Sequence, residues 1–400
     1  MKAIYMDHNA TTPLDERVLE AMMPYLKEEF GNASSVHSLG IRARAAIEEA
    51  RGKVAQALGC SPKEVVFTGC GTESDNLAIK GVAYANRDKG DHIITSRIEH
   101  HAVLHACQYL EKQGFRVTYL PVDGYGQVDP DDVRKAITDK TILITIMHAN
   151  NEVGTVQPIA EIGKIAKERG VYFHTDAIQT VGKLPTKVDE LGVDLLSLSA
   201  HKLYGPKGVG ALYIRNGVKL HPLLHGGPHE WNRRAGTENV AGIVGLGKAI
   251  ELAMEGLEEE AQYLTALRER LYEGLRSSID HIRLNGHPTQ RLPGTLSLCF
   301  EYIEGESIIM GLDLKGVAVS SGSACTSASL EPSHVLLAMG VPPAIAQGSV
   351  RFSLGRDNTE EQVDYVIEEL PPIVARLREI SMFSPEVPFS AMAGPRPRSH

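Results

Sequence analysis

Residues 141–152 decide the fold class: Thr141-Ile142-Leu143-Ile144-Thr145-Ile146, followed closely by the polar run His148-Ala149-Asn150-Asn151-Glu152. A nearly continuous apolar run of this length indicates a strand that is buried on both faces, as strands in parallel sheets are. Similar β-rich runs occur at 64–68, 92–95, 115–119, 171–174 and 194–198. Helical stretches lie between most of them, so the alternation predicts an α/β fold around a mainly parallel, doubly wound sheet. In such a sheet the functional residues gather at the carboxyl ends of the strands.

The chain length and a change of pattern predict two domains. Four hundred residues exceed what one simple core holds, and from about Leu257 the alternation gives way to a long charged helix and a mixture of short strands and helices. We therefore expect a large domain over 16–256 and a smaller α+β domain over 257–380. Residues 381–400 carry no periodicity and are interpreted as a tail.

The composition excludes several classes of protein. Forty-one basic residues stand against fifty acidic ones, and no long basic run is present, which argues against nucleic-acid binding. No apolar run approaches the length of a membrane span, and no signal peptide is apparent, so no membrane association is expected. The five cysteines are scattered and odd in number, which argues against a disulfide framework and favours a cytoplasmic protein.

Two polar clusters follow the first predicted strands. The turn Thr68-Gly69-Cys70-Gly71-Thr72-Glu73-Ser74 opens a helix and could bind a phosphate, although on this motif alone a capped strand-to-helix turn is the favoured explanation. His100, at the next strand-to-helix turn, could stack on an aromatic ligand or carry protons. His101 and His105 lie four residues apart on a predicted helix, but no third ligand stands at a diagnostic spacing, so we expect no metal.

Three further clusters follow later strands. Asn150 and Asn151 could bind a ligand oxygen or form an Asx turn. Asp176 ends an apolar strand, where it either pairs with a cation or caps a helix. Lys202 follows a buried strand, a position that can lower the pKa of its amine and make it a nucleophile.

The second predicted domain contributes a cysteine and an arginine. Cys325 lies in Ser320-Ser321-Gly322-Ser323-Ala324-Cys325-Thr326-Ser327, where small and hydroxylated neighbours predict a loop with an accessible thiol. Arg351, within the strand 350–354, is an interior cation that could hold a carboxylate with two hydrogen bonds.

Taken together, these groups match the needs of one ligand, pyridoxal 5'-phosphate. That cofactor requires an anion cradle, a stacking ring, a carboxylate for its pyridinium nitrogen and an amine for a Schiff base. From residue 5 to about 378, the chain resembles the cysteine desulfurases of the fold-type I, class V aminotransferase-like superfamily. The matching motifs are Tyr5 to Thr12, Gly71-Thr72-Glu73-Ser74, Glu99-His100, Asn150-Asn151-Glu152, Asp176 to Gln179, Ser199-Ala200-His201-Lys202, Arg234-Ala235-Gly236-Thr237 and the 320–327 loop.

The resemblance implies a fold-type I PLP-dependent transferase, with a seven-stranded sheet in the large domain and an arm at 1–15 that packs with the small domain. It implies that Lys202 forms the Schiff base, that Asp176 pairs with the ring nitrogen, and that His100 stacks on the ring. The remaining implied cofactor contacts are Gln179 to the ring oxygen, Gly71, Thr72, Ser199 and His201 to the phosphate, and Thr237 to the phosphate from the partner subunit of a homodimer.

The resemblance also implies the reaction. Asn151 and Arg351 match the residues that hold the substrate carboxylate, and Cys325 matches the nucleophile that takes sulfur from L-cysteine as a persulfide and leaves L-alanine. The loop at 320–333 resembles the long-loop subgroup, which passes sulfur to acceptors such as iron–sulfur scaffold proteins. In such a complex an iron–sulfur contact at Cys325 is implied.

Two alternatives remain open at this point. The first is another fold-type I enzyme, a selenocysteine lyase or a small-molecule aminotransferase; the accessible Cys325 favours desulfuration, because a transaminase needs no mobile thiol. The second is a non-catalytic scaffold or metal-binding protein that uses the His and Cys residues. Such a protein would lack a cofactor bound to Lys202.

Overall fold

The computed structural model describes residues 3–322 and 332–382. Strands in these ranges are β1 Ile4–Tyr5, β2 Val65–Thr68, β3 His92–Ser96, β4 Arg116–Leu120, β5 Thr141–Thr145, β6 Tyr172–Asp176, β7 Leu195–Ser199, β8 Gly210–Ile214, β9 Ile282–Asn285, β10 Thr295–Phe300, β11 Val317–Ala318 and β12 Ser349–Ser353. Helices are α1 Glu16–Lys27, α2 Ser38–Leu58, α3 Gly71–Ala85, α4 His101–Lys112, α5 Pro130–Ala136, α6 Ile159–Arg169, α7 Val188–Leu191, α8 Val240–Glu255, α9 Leu257–Ser278, α10 Gly305–Asp313, α11 His334–Ala338, α12 Pro343–Ala346 and α13 Glu360–Ile380.

A seven-stranded sheet forms the centre of the fold, in the order β2-β8-β7-β6-β5-β3-β4. β8 runs antiparallel to both of its neighbours, and every other pairing is parallel. The predicted mainly parallel α/β sheet is therefore confirmed. β2, β3, β5 and β7 are buried along their whole length, which explains why they are nearly continuous apolar runs in the sequence.

Helices cover both faces of this sheet. One apolar core contains residues of α1, α2, α6 and α8, and the other contains residues of α3 and α4. Because β2, β3, β5, β6 and β7 run in the same direction, their carboxyl ends lie at one shared edge of the sheet. That edge carries every polar cluster that the sequence places at a strand end.

A separate core lies among α9, α10, α13 and the antiparallel sheet β12-β10-β9. Met6 belongs to this core, β1 pairs with β11, and Asp7 bridges to Ser353. The N-terminal residues thus pack on the sheet that contains Arg351. β11, at Val317–Ala318, has only two residues. The domain boundaries at 15, 256 and 380 stay predictions.

Candidate active site

A cavity of about 290 Å³ opens at the carboxyl edge of the seven-stranded sheet. Ten of the twelve predicted site residues line it: Gly71, Thr72, His100, Asn151, Asp176, Gln179, Ser199, His201, Lys202 and Arg351. They come from five strand ends and from β12, because parallel strands bring their carboxyl ends to the same edge. Arg351 reaches the cavity because the β10-containing sheet packs against that edge.

Gly71 and Ser199 form a small polar recess in this cavity. A Cβ atom on Gly71 would lie 2.2 Å from Ile178 Cδ1, so the close approach of α3 to the Asp176 turn requires glycine. The Ser199 hydroxyl is buried and finds no hydrogen-bond partner among residues 3–322 and 332–382. The first turn of α3 begins at Gly71 and directs backbone N–H groups and Thr72 here. An orphaned hydroxyl beside a helix N-terminus fits a phosphate group, as the sequence predicts.

Asp176 ends β6, and its Oδ1 accepts a hydrogen bond from the Ile178 N–H at 2.9 Å. Burial raises its pKa to about 6, although Lys202 acts in the opposite direction. A second buried carboxyl, Asp75 on α3, lies 3.7 Å from His174 Nε2. Burial and the charge of Asp176 raise the pKa of Asp75 well above its ordinary value. The site therefore keeps an acidic group that a cationic ligand would stabilise as a carboxylate.

Lys202 lies in a short turn directly after β7. Its Nζ donates to the carbonyl oxygens of Asn9 and Ala10, at 2.5 and 2.7 Å. The Gln179 side-chain amide also donates to Asn9 O, at 2.9 Å. The N-terminal segment therefore holds the two side chains that the resemblance assigns to the Schiff base and to the ring oxygen of one ligand. The motif Tyr5 to Thr12 gives no sign in the sequence that its backbone carbonyls contact these side chains.

His100 caps the N-terminus of α4. Its Nδ1 accepts a hydrogen bond from the Ala102 N–H at 3.1 Å, so the neutral ring carries its proton on Nε2. Burial, followed by the charges of His101 and Lys202, lowers the pKa of His100 to about 4. At neutral pH the ring is therefore uncharged and can both stack on an aromatic ligand and donate one proton.

Arg351 is 2% exposed and lies between the N-terminal segment and the loop after β5. One guanidinium nitrogen donates to Asp7 Oδ1 at 2.7 Å, and the other donates to Asn151 O at 2.9 Å. Its Nε is buried and has no partner in the described part of the chain. The Asx-turn reading proves correct for Asn150, whose Oδ1 accepts from the Glu152 and Val153 N–H groups. The neighbouring residue, Asn151, lines the cavity.

Two further predicted site residues remain. Cys325 lies outside the described residues. Thr237 is exposed and does not line the cavity of its own chain. Its segment is nevertheless well anchored, because Arg234 forms an ion pair with Glu73 at 2.9 Å. Glu230, in the same segment, pairs with the buried Arg51.

The structure adds a third histidine to the pair His101 and His105. The His334 ring centroid lies 4.9 Å from that of His101, the same separation as between His101 and His105. Even so, within the two described ranges no group of three or more His, Cys, Asp or Glu side chains is arranged to hold a metal ion. In the same ranges no helix is long and apolar enough to cross a membrane.

Comparison with known proteins identifies the family. The aminotransferase class-V family model matches residues 4–366. Two relatives named cysteine desulfurase IscS, from Dictyoglomus turgidum and Methanosarcina thermophila, are 59% and 61% identical over 96% of this chain and 98% and 95% of their own lengths. The chain is a cysteine desulfurase family member. The predicted recognition of this family is thereby confirmed.

Two solved structures share the fold of this chain. A structure named NifS-like protein superposes with a TM-score of 0.89 at 44% identity, covering 94% of this chain and all of that one. Another, named SspA in complex with cysteine, gives a TM-score of 0.80 at 40% identity, with 89% and 100% coverage. The predicted fold-type I architecture is confirmed, and this family implies an enzyme that depends on pyridoxal 5'-phosphate.

Proposed function

We propose that the chain converts L-cysteine to L-alanine and holds the released sulfur as a persulfide on Cys325. The observation that carries this proposal is the convergence of ten predicted site residues on one cavity, in a chain whose relatives at about 60% identity are named cysteine desulfurases. Nine of those ten have polar or charged side chains, and they come from distant parts of the sequence, which a packing requirement does not explain.

The residues that line the cavity provide the groups that pyridoxal 5'-phosphate requires. Lys202 is proposed as the covalent anchor, Asp176 as the partner of the ring nitrogen, Gln179 of the ring oxygen, and His100 as the stacking ring. The phosphate contacts proposed are Gly71, Thr72, Ser199 and His201, with Thr237 supplied by the second copy of a homodimer. When bound, the cofactor supplies an electron sink for the carbanion formed at the substrate Cα.

The negative charge of the substrate carboxylate indicates which residues bind it. We assign Arg351 and Asn151 to the substrate carboxylate, since the guanidinium has an unpaired buried Nε and a fork geometry suited to two oxygens. Lys202 Nζ, once the substrate amine has displaced it from the cofactor, takes the Cα proton, and the neutral His100 donates a hydrogen bond within the site through Nε2–H.

The sulfur step conserves atoms and charge. The Cys325 thiolate attacks the sulfur of L-cysteine, an S–S bond forms, and the bond between that sulfur and the substrate Cβ breaks. A proton replaces sulfur on Cβ, so that cysteine and a thiol give alanine and a persulfide. We propose that the persulfide passes to an acceptor such as an iron–sulfur scaffold protein, and that the enzyme is cytoplasmic. Residues 16–256 would then hold the cofactor, while 257–380 would supply Cys325 and Arg351.

The test is alanine production from L-cysteine by the cofactor-loaded enzyme without any keto acid. We expect alanine from the parent and none from Lys202→Ala, with Lys207→Ala as the control because Lys207 is exposed and does not line the cavity. Alanine formed only in the presence of a keto acid would indicate an aminotransferase. A marked preference for L-selenocysteine with little activity on L-cysteine would indicate a selenocysteine lyase.

A further inference from the structure

Glu152 is the third residue of the Asn150-Asn151-Glu152 motif, and the proposed reaction gives it no role. Its side chain is 6% exposed, which is costly for a carboxylate that lacks a specific contact. Its contacts within the described residues lie on both sides of the segment 323–331, which carries Cys325 in the sequence.

On the C-terminal side of that segment, Glu152 binds Ser333. The Ser333 hydroxyl is buried and donates a hydrogen bond to Glu152 Oε2. The same oxygen atom of Ser333 accepts from the Leu336 N–H at 3.2 Å and so caps α11. The position at which the chain enters α11 therefore depends on the Glu152 carboxylate.

On the N-terminal side, Glu152 packs against Gly322. A Cβ atom on Gly322 would lie 2.9 Å from both Glu152 Cβ and Glu152 Oε2, so only a glycine fits this close approach without displacement. Gly322 also lines the cavity, together with Asn151 and Arg351. Gly322, at the cavity rim, and Ser333, at the start of α11, therefore both contact the Glu152 side chain.

Glu152 is itself held firmly. Asn150 is completely buried, and its Oδ1 accepts from the Glu152 and Val153 N–H groups at 2.9 and 3.0 Å. Its Nδ2 donates to Ile98 O at 2.9 Å. The backbone of Glu152 is therefore fixed to the turn that precedes α4, and a fixed backbone lets one carboxylate define two chain positions.

We propose that Glu152 is a positioning residue that anchors both ends of the segment carrying Cys325 to the cavity rim; this rests on the proposed function. Cys325 is the third residue after Gly322, so in extended chain the two are at most about 11 Å apart. Fixing Gly322 at the rim therefore bounds the distance between the nucleophile and the substrate sulfur. Fixing Ser333 as well sets the distance between the two ends of the segment, and preset ends lower the entropic cost of bringing a thiol to the substrate.

The experiment compares Glu152→Ala and Glu152→Gln in the cofactor-loaded enzyme. We expect kcat for alanine release to fall about tenfold in Glu152→Ala, as loss of one charge-assisted hydrogen bond predicts, while KM for L-cysteine stays near the parent value. Glutamine keeps an oxygen that accepts from Ser333, so Glu152→Gln should stay within about twofold of the parent. Glu64→Ala is the matched control, because Glu64 joins Ser61 and Asn216 away from the cavity.

A second measurement does not depend on turnover. Amide hydrogen exchange at Leu336, whose N–H is bonded to Ser333, should become faster in Glu152→Ala and stay as in the parent for Glu152→Gln and Glu64→Ala. Unchanged exchange and unchanged kcat in Glu152→Ala would overturn the proposal. The proposal would also be overturned if Glu152→Gln lost as much kcat as Glu152→Ala does. It would be overturned as well if Glu152→Ala raised KM for L-cysteine and left kcat unchanged. A parent enzyme that releases no alanine would instead refute the proposed function, while the exchange data would still decide the anchoring.

Discussion

Replacing Asp176 with Asn should stabilise the cofactor-free protein and weaken its hold on the cofactor. Asp176 is buried, and its carboxylate accepts a hydrogen bond from the Ile178 N–H, the one such partner found within the described ranges 3–322 and 332–382. Burial raises its pKa from 3.8 to about 6, so the folded chain resists ionisation of this group. Asparagine has nearly the same shape and carries no charge, and the substitution therefore removes the electrostatic cost while leaving the packing intact.

The magnitude follows from the pKa. A carboxyl whose pKa is raised from 3.8 to about 6 costs up to about 3 kcal/mol of folding free energy once it is fully ionised, at about 1.4 kcal/mol per pH unit. Between those two values the folded chain binds more protons than the unfolded chain, so the parent loses stability as the pH rises through this window. Asp176→Asn does not lose stability in this way, because asparagine does not ionise. The free-energy difference between variant and parent should grow by about 2 kcal/mol from roughly pH 4.5 to pH 7.5.

Urea denaturation of both cofactor-free proteins across that pH range measures the difference. Asp75 adds to it in the same direction, because the charge of Asp176 raises the pKa of Asp75 and asparagine carries no charge. Titration with pyridoxal 5'-phosphate at pH 7.5 should show weaker binding to Asp176→Asn, since asparagine cannot pair with a cationic ring nitrogen. A difference in unfolding free energy that stays constant with pH would refute the reasoning. A parent that is more stable than the variant at pH 7.5 would refute it as well.

Three further substitutions have defined outcomes. Arg351→Lys should raise KM for L-cysteine by about tenfold or more, because an ammonium cannot replace the two-pronged guanidinium contact; steady-state kinetics that show an unchanged KM would contradict the assignment. Glu230→Ala should lower the free energy of unfolding by about 3–5 kcal/mol, because it leaves the guanidinium of Arg51 buried without its anion; a loss below about 1 kcal/mol by chemical denaturation would mean that the pair contributes little. His100→Phe should keep the cofactor but reduce kcat by about 10²-fold or more, since the ring can stack but has no proton to donate; a kcat near the parent value would limit His100 to stacking.

The sequence alone predicts the parts of the fold that depend on local pattern. The strand at Thr141–Thr145 is visible because burial on both faces demands an apolar run, and the turns at Asp176 and Lys202 are visible because polar residues interrupt such runs. Short strands are harder to detect. Ile282–Asn285 is half-buried for most of its length and was not anticipated, because its four residues carry too little periodicity.

The remaining site features depend on contacts between distant residues. The Asn9 carbonyl meets Lys202 across 193 positions of sequence, and no spacing rule reveals a backbone carbonyl as a ligand. The exposed position of Thr237 and the packing of Glu152 against Gly322 likewise follow from how the elements assemble. Motif spacing therefore predicts which residues gather at the sheet edge, but it does not predict which groups hold them there.

The most direct test of the account is a peptide-resolved mass measurement after a single turnover with L-cysteine. We predict that one extra sulfur atom is found on the peptide that contains Cys325, together with one equivalent of alanine, and that Cys325→Ala forms neither while still binding the cofactor. Cys70 is the matched control, because it is exposed and lines the same cavity, so Cys70→Ala should behave as the parent does. Sulfur found on Cys70 instead, or alanine formed by Cys325→Ala at the parent's rate, would contradict the central claim.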